Sequence, residues 1–281
     1  MTEIAELPFP QDDVESRVSH IMHLLPGLGM NLLTFQKDVS IARSASAPAD
    51  RELMKKAELQ VEDNLINTIR DHFPRDRVYS EERGRSGSDD GEFEWWLDPI
   101  DGTRNYIHGV PLFCISVGLC FRGGPVAGMV LVPAFSEMYH AILGGGAFKN
   151  HNPIRVSGLS SVERTLIATG LPYHRKEMIG EIIADVAAFI SSGTGLRRSG
   201  SAVIDLCWLA EGRYDAMWER GMDPHDLCAA SVILNEAGGR LTGFDGQGFD
   251  IFFQDVVASN SLLHPQIVEL LKKSRKVEGM N

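Results

Sequence analysis

The chain is short of three things: cysteine pairs, long apolar runs and positive charge. Its 281 residues include only four cysteines, Cys114, Cys120, Cys207 and Cys228, and no two of them form a CxxC pair. This spacing argues against a zinc site. The apolar neighbours of the four thiols predict small, buried hydrophobic residues in a reducing compartment.

Long apolar segments are also missing. No run approaches the roughly 18 apolar residues that a membrane-spanning helix needs. The amino-terminal stretch MTEIAELPFPQDD is acidic and lacks the apolar core of a signal peptide. We therefore expect a cytoplasmic protein that does not enter a membrane.

Negative charge exceeds positive charge by a wide margin. The chain has 38 Asp and Glu residues against 27 Lys and Arg, which gives a formal net charge of −11. A surface of this sign repels nucleic-acid phosphates, so direct nucleic-acid binding is not expected. The same excess is consistent with carboxylates gathered around a cation, which would then attract an anionic substrate.

The first half of the chain has two helical patterns. An apolar residue recurs every three or four positions from Val14 onward, and we expect this helix to be interrupted at Pro26 and Gly27. Residues 38–50 are small and polar and predict a loop. A second amphipathic helix is expected to begin near Asp50.

Strands dominate the stretch that follows. Apolar residues alternate with small ones over residues 113–121, which is the period of a strand. The polar stretch 83–92 predicts a loop between two strands. Helices and strands alternate in the second half. We therefore predict an α+β fold, with helices on an antiparallel sheet in residues 1–150 and an α/β layer in residues 151–281, together forming one continuous unit.

The most informative stretch is WWLDPIDGT, residues 95–103. An apolar strand runs into two carboxylates, Asp98 and Asp101, with Pro99 between them. The proline prevents a regular sheet or helix interior, so the acids are expected at a turn on a rigid strand. Gly102 lets backbone N–H groups approach an oxyanion closely. Such oxygen ligands suit Mg²⁺; the alternative is an ordinary turn that uses Asp and Gly for their usual reasons.

Two further acidic positions could join this pair. Glu81 follows the predicted strand 77–80, where sites are often built, although a solvated loop glutamate is the alternative. Asp226 opens a helix of apolar and small residues, where it could also be a plain N-cap. Its neighbours Asp223 and His225 leave a transition-metal cluster open, but no second histidine lies at ligand spacing.

Together these motifs resemble the inositol monophosphatase family. WLDPIDGTRNYIHGVPLFCISVGL is similar to that family's W-x-x-D-P-x-D-G-T-x-N-F motif, and HDLCAASVILNEAGGRL is similar to its W-D-x-A-A-G…E-A-G-G motif. Gly200-Ser201-Ala202 and Glu219 stand in register between them. The resemblance runs from residue 50 to residue 272, give or take a few.

The resemblance implies a Mg²⁺-dependent phosphatase of the superfamily known for lithium-sensitive members. The implied fold is a layered α/β/α/β/α sandwich of the inositol monophosphatase and fructose-1,6-bisphosphatase type, usually assembled as a homodimer. Two or three Mg²⁺ ions would be held by Glu81, Asp98, the carbonyl of Ile100, Asp101 and Asp226.

The resemblance also implies roles toward the substrate. Glu81 and Thr103 would position the attacking water, and the backbone N–H groups of Gly102 and Thr103 would bind the phosphate. The remaining implied substrate contacts come from Asp101, Gly200, Ser201, Ala202, Glu219 and Asp226.

Two departures from the family pattern lie close to the implied site. His225 stands where the family has tryptophan, and we predict that it is a packing substitute rather than a metal ligand. Glu58 stands where the family has an aspartate that orients the threonine. Glu58 is therefore a third candidate catalytic residue beside Glu81 and Thr103, with a longer side chain than the family uses.

The expected substrate is a small phosphomonoester, with inositol monophosphate first. Glu219 can accept hydrogen bonds from ring hydroxyls but would repel a second phosphate. Histidinol phosphate, 3′-phosphonucleotides, fructose bisphosphate and other sugar phosphates remain alternatives, as does a regulatory interaction protein that keeps the fold. The carboxylate set argues against that last reading, because clustered acids repel one another unless a cation compensates.

Overall fold

The structure is a computed structural model that describes residues 9–45, 47–171 and 178–278. Its helices are α1 (Gln11–Ala45), α2 (Ala47–His72), α3 (Thr103–Ile107), α4 (Ile179–Ser191), α5 (Ala202–Ala210), α6 (Pro224–Glu236) and α7 (His264–Glu278). Its strands are β1 (Arg77–Ser80), β2 (Gly84–Gly87), β3 (Phe93–Asp101), β4 (Cys114–Phe121), β5 (Gly124–Val132), β6 (Glu137–Ile142), β7 (Ala147–Lys149), β8 (Asn152–Pro153), β9 (Leu166–Thr169), β10 (Gly195–Arg197), β11 (Ala216–Arg220), β12 (Arg240–Gly243) and β13 (Asp255–Ser259).

The strands form two sheets. The first has the order β2-β1-β3-β4-β5-β6-β7-β8 and is antiparallel except where β1 runs parallel to β3. The second has the order β10-β9-β11-β13-β12 and is mixed, because β9 runs parallel to both of its neighbours while β13 runs antiparallel to its own. The predicted antiparallel sheet is therefore correct apart from one strand pair.

Helices and sheets stack in five layers. Helices α1 and α2 pack on one face of the first sheet, α5 and α6 lie between the two sheets, and α4 and α7 cover the outer face of the second. Each interface is filled by buried apolar side chains, such as Leu25 under α1, Ile233 in the middle layer and Phe189 on the outer face. The predicted α/β/α/β/α sandwich is confirmed.

The predicted interruption of α1 at Pro26 is wrong. The helix runs through Pro26 to Ala45. A proline inside a helix costs about 3 kcal/mol. Apolar residues that follow Pro26 in the helix are buried: Leu28, Leu32 and Val39 are each at most 3% exposed. Burying one such side chain contributes about 1.5–3 kcal/mol, so the apolar stripe outweighs the proline.

Two predicted loops are wrong as well. Residues 38–50 lie largely in helix: α1 extends to Ala45 and α2 begins at Ala47, with residue 46 outside the described ranges. Alanine and serine tolerate helix, and Pro48 falls in the first turn of α2, where its missing N–H costs little. Within the predicted loop 83–92, residues Gly84–Gly87 form strand β2, which pairs with β1.

The four cysteines lie where the sequence predicted, inside the protein. All four are free and fully buried. They are packing residues of the core, as predicted. None of the described helices combines the length and the apolar character needed to cross a bilayer.

Helix α6 packs on the first sheet through two glycines. A Cβ atom added at Gly118 would lie 2.4 Å from Sγ of Cys228, and one added at Gly128 would lie 2.1 Å from the carbonyl oxygen of Ala229. Cys228 and Ala229 directly follow the first turn of α6, which contains Asp226. Because Gly118 and Gly128 have no side chains, α6 can lie close to the sheet, and this close packing positions Asp226 relative to the strands.

We predict that Gly128→Ala destabilises the protein by about 1–3 kcal/mol or more, because a new methyl group must displace the backbone of α6. The measurement is the free energy of unfolding from urea titration. Gly124→Ala is the matched control in the same strand, since its Cβ would meet only the carbonyl oxygen of Phe121, at 3.7 Å. Equal losses in the two variants would contradict the close approach of α6.

Candidate active site

Asp98 and Asp101 lie on either side of a break in the sheet. The pairing of β3 with β4 is regular up to Asp98, is interrupted at Pro99 and Ile100, and resumes at Asp101. The Ile100 N–H donates to Oδ1 of Asp98 at 2.9 Å. The break at the proline presents both carboxylates near the same point. The sequence predicted a turn here, whereas the structure has a bulge within β3.

Asp101 is held by the amino end of α5. Its Oδ2 accepts hydrogen bonds from the Ser201 hydroxyl at 2.5 Å and from the Val203 N–H at 3.0 Å. Ser201 is itself the N-cap of α5 and accepts from the Ile204 N–H. A helix amino end favours negative charge, so α5 stabilises an acid contributed by the first sheet.

Gly102, next in sequence, has a conformation that only glycine adopts easily. Its φ is +93°, and an added Cβ would lie 2.7 Å from the carbonyl oxygen of Leu112. It directly precedes the short helix α3, whose first residue is Thr103. The glycine therefore allows the chain to turn sharply after Asp101 without moving the carboxylate.

Asp226 lies in the first turn of α6. The helix begins at Pro224, two residues earlier than expected, and its N-cap is Asp223 rather than Asp226. The Asp226 carboxylate accepts from the Asp223 N–H at 3.0 Å, in a capping box. The same carboxylate points at the acids on β3, so it serves both as a capping group and as a member of the site.

Three carboxylates converge at this point. One oxygen from each of Asp98, Asp101 and Asp226 can be chosen so that all lie within 4.8 Å of one another. Asp98 is buried, and the other two are half-buried. Glu81, in the turn after β1, shares a hydrogen bond with Asp98. The structure thus brings together all four acids that the sequence singled out.

Burial, and for Asp98 and Asp226 also the neighbouring acids, raises the pKa values of the cluster. Burial, followed by the charges of Glu81 and Asp101, raises the pKa of Asp98 well above its usual range. Burial and then Asp101 do the same to the pKa of Asp226. Burial also raises the pKa of Asp101, although its bonds from Ser201 and Val203 oppose the rise. Four carboxylates in this arrangement are stable in their charged form only beside a compensating cation.

The donor set suits a hard metal ion. Every candidate ligand is a carboxylate or carbonyl oxygen, which is the chemistry of Mg²⁺ or Ca²⁺ rather than of zinc. Within the described ranges, this trio is the one group of three or more possible metal-ligating side chains. The open alternative of a transition-metal cluster at Asp223, His225 and Asp226 is therefore not supported.

His225 packs against aromatic rings. Its ring centroid lies 5.2 Å from that of Trp96, edge to face, and Tyr79 stacks on Trp96 at 4.5 Å. Its Nε2 is buried and has no hydrogen-bond partner within the described residues. These contacts agree with the predicted packing role in place of tryptophan.

The remaining catalytic candidates surround the cluster. Glu58, on α2, is 7% exposed, and burial together with the charge of Glu81 raises its pKa to about 7. The Thr103 hydroxyl donates to the carbonyl of Ile100 at 3.2 Å. The same carbonyl is the predicted fifth metal ligand, so Thr103 contacts the predicted ligand set directly.

A cavity of about 190 Å³ adjoins the acids. Asp101 and Asp226 line one part of it, and Gly200, Ser201, Ala202 and Glu219 line another. Two of the predicted metal ligands, Asp101 and Asp226, therefore share one space with four predicted substrate residues. Burial, then the charge of Asp205, raises the pKa of Glu219 well above its usual range.

Glu219 is seated against the backbone of Gly170. A Cβ at Gly170 would lie 1.7 Å from Oε1 of Glu219. The end of β9 thus leaves the space that this carboxylate occupies at the end of β11, two strands that pair in parallel. No motif at Gly170 identified this relationship in the sequence.

Seven lining residues were missed by sequence reasoning: Thr169, Gly170, Leu171, Arg198, Asp205, Arg220 and Gly221. Asp205 could have been found from the sequence, because it is the only charged residue in the apolar helix AVIDLCWLA. No sequence pattern marked Arg198 or Thr169, because each reaches the cavity only through the packing of separate strands and loops.

Comparison with known proteins now decides the family. The model of the inositol monophosphatase family matches residues 32–276, most of the chain. The protein belongs to the inositol monophosphatase family. The match begins within α1, earlier than the two motifs suggested, and it includes every acid of the cluster.

Relatives in this family carry several names. An inositol-1-monophosphatase of Synechocystis sp. is 35% identical over 78% of this chain and 77% of its own length. A fructose-1,6-bisphosphatase/inositol-1-monophosphatase of Aquifex aeolicus is 36% identical over 81% of this chain and 85% of its own. The crystal structure of the extragenic suppressor protein SuhB from Bartonella henselae superposes with a TM-score of 0.82 at 29% identity, covering 91% of this chain and 98% of that one.

These matches identify a phosphatase of the inositol monophosphatase family. They confirm the predicted family and fold. The names differ in the substrate they mention, so membership alone leaves the phosphate ester open.

The raised pKa values predict how the metal-free protein responds to pH. Burial raises the pKa of Asp205 to about 8, and the pKa values of Asp98, Asp226 and Glu219 rise well above their usual range. Between an acid's unfolded pKa and its raised folded pKa, the folded state binds more protons than the unfolded chain. The free energy of unfolding therefore falls as pH rises through that window.

We expect the Tm of the protein in excess chelator to fall between pH 7 and pH 8. This range lies above the ordinary histidine pKa, so the histidines whose pKa is lowered in the fold contribute little to the slope. Asp98→Asn, which removes one member of the cluster, should have a shallower slope. A Tm that is flat or rising over this range would contradict the raised pKa values of these buried acids.

Proposed function

We propose that the protein hydrolyses a small polyol phosphomonoester, with inositol monophosphate as the first candidate, in a reaction that requires Mg²⁺. One observation carries the proposal: the acidic cluster at the end of β3 opens into a cavity whose other wall contains Glu219. A cation site for the phosphate and a carboxylate for hydroxyl groups then face the same small molecule.

Two or three Mg²⁺ ions would be held by Glu81, Asp98, the Ile100 carbonyl, Asp101 and Asp226. When bound, they would supply positive charge to the phosphate and to the oxygen that leaves. The first three acids come from residues 1–150 and the last from residues 151–281. We therefore propose that these halves act as one catalytic unit.

The protein groups would direct an in-line displacement. Glu81, with Thr103, would hold a water behind the phosphorus and accept a proton as the water oxygen attacks. The ester P–O bond breaks on the opposite side, and the departing oxygen takes a proton from solvent to become the alcohol. Backbone N–H groups of Gly102 and Thr103 would donate to the phosphate oxygens. Glu58, whose pKa lies near neutrality, would orient Thr103.

The choice of a polyol rests on Glu219. Its carboxylate accepts hydrogen bonds from neighbouring hydroxyls, and a second phosphate beside it would be repelled. Fructose bisphosphate remains an alternative, because the name of the Aquifex relative joins the two activities. Histidinol phosphate, 3′-phosphonucleotides and other sugar phosphates also remain, as does a regulatory role that does not use the acids.

We also propose a homodimer in the cytoplasm. Helix α4 exposes an apolar stripe of Ile179, Ile183 and Ile190, each more than half exposed, which suits a second copy of the chain. The four free thiols are consistent with a reducing compartment. The mass in solution, measured by light scattering, tests the dimer.

The test of function is a phosphate-release screen over polyol, sugar, nucleotide and aryl monophosphates, with Mg²⁺ or with excess chelator. We expect inositol monophosphate to be the best substrate and chelator to abolish release. Asp98→Asn should fold normally yet lose more than about 90% of activity, since a missing ligand charge costs several kcal/mol of barrier. Activity that survives both chelator and Asp98→Asn would exclude the metal role, and inactivity on every ester would favour the regulatory alternative.

Glu219→Gln tests the hydroxyl contact. On inositol monophosphate we expect kcat/KM to fall by about tenfold or more, because the variant loses a charged acceptor. On an aryl phosphate, which has no hydroxyls for Glu219 to bind, kcat/KM should change little. Equal losses on both esters would mean that Glu219 does not select the polyol.

A further inference from the structure

Asp205 is a buried acid in the substrate cavity that no role yet accounts for. It lies one turn into α5, is 1% exposed, and lines the same cavity as Glu219. The backbone and side chain of Ser199 adjoin the carboxyl and lower its pKa, while the Ser199 hydroxyl donates to the carbonyl of Ser201 at 3.0 Å. Oδ1 of Asp205 has no hydrogen-bond partner among the residues the structure describes. A buried oxygen without a partner is costly, so the fold retains an acceptor that it does not use itself.

Arg198 brings a cation to the cavity wall that this acid and Glu219 also line. Its Nη1 lies 3.0 Å from the position that a Cβ would take at Gly200, on the cavity wall. Its charge lowers the pKa of Asp205 and also that of Glu219, so it lies within electrostatic reach of both. The cavity therefore contains an acceptor, a donor and a second acceptor.

Such a set matches one class of ligand better than others. Each hydroxyl of a polyol both donates and accepts, so neighbouring hydroxyls can bond to carboxylates and to a guanidinium together. A second phosphate would meet two acids and a single arginine, and each acid opposes it once ionised. An apolar ring would bury all three groups without bonds.

We propose that Asp205 is a second specificity residue, which accepts a hydrogen bond from a substrate hydroxyl that Glu219 does not reach. The inference rests on the proposed polyol phosphatase function and extends it. Asp205 contacts the part of the leaving group away from phosphorus, so it selects the substrate without taking part in bond cleavage.

The competing explanation is purely structural. Asp205 could serve only to hold Ser199 and the loop before α5, whose amino end binds Asp101. In that case its loss would disturb Asp101 and slow every substrate alike. A hydroxyl contact predicts a loss confined to substrates that have hydroxyls, and this difference is measurable.

The experiment compares kcat and KM of wild type and Asp205→Asn on inositol 1-phosphate, cyclohexyl phosphate and 4-nitrophenyl phosphate. Cyclohexyl phosphate keeps the ring but lacks the hydroxyls. We expect kcat/KM for the inositol ester to fall by about tenfold, mainly through KM, while the other two esters change less than about threefold. Asp215→Asn is the matched control: Asp215 is also a buried acid, but it bonds Ser157 and Leu166 outside the cavity.

Parallel losses on all three esters, or no loss on any, would overturn the proposal. If Asp205→Asn does not fold, Arg198→Gln replaces it, because that side chain is exposed and its removal leaves no buried gap. The same selective loss supports the acceptor–donor–acceptor set, and a uniform loss or none refutes it. Wild-type enzyme that cleaves the aryl ester but no polyol ester would instead reject the proposed substrate, and the role of Asp205 with it.

Discussion

The carboxylate of Asp101 accepts hydrogen bonds from the amino end of α5 and also belongs to the acidic cluster. This contact joins the first sheet to the helical layer that supports the second. It directs the positive end of a helix dipole at the most crowded concentration of negative charge in the described fold. Asp226 adds a second helix end, α6, on the other side of the cluster. The relative position of the two sheets therefore depends on where these two carboxylates lie.

Helix ends reduce the repulsion among the acids but do not remove it. The pKa values of Asp98 and Asp226 stay well above the usual range despite the surrounding donors. The same layers that bury the cluster also give it rigidity, because α6 is pressed on the sheet at Gly118 and Gly128. The acids proposed to hold a cation are thus groups whose burial and mutual repulsion destabilise the metal-free fold.

Local pattern predicted much of this structure. Alternation identified β4, the proline between two acids predicted a break in the regular strand, and the family resemblance joined Asp226 to acids more than a hundred residues away. The errors share a physical origin. Pro26 stays in a helix because burial of α1 is a tertiary effect, and β2 forms because β1 offers a pairing edge to polar residues. The role of Arg198 could not be read from sequence, since its neighbours in the cavity come from β9, β11 and α5.

The fit between Gly170 and Glu219 constrains how such a protein can diverge. Because a methyl group at residue 170 would overlap the glutamate carboxylate where it now lies, enlarging residue 170 requires that carboxylate to shift or residue 219 to shorten. The two positions are therefore expected to diverge together: a change at residue 170 moves the acid on the neighbouring strand end, through the 1.7 Å between an absent Cβ and one carboxylate oxygen.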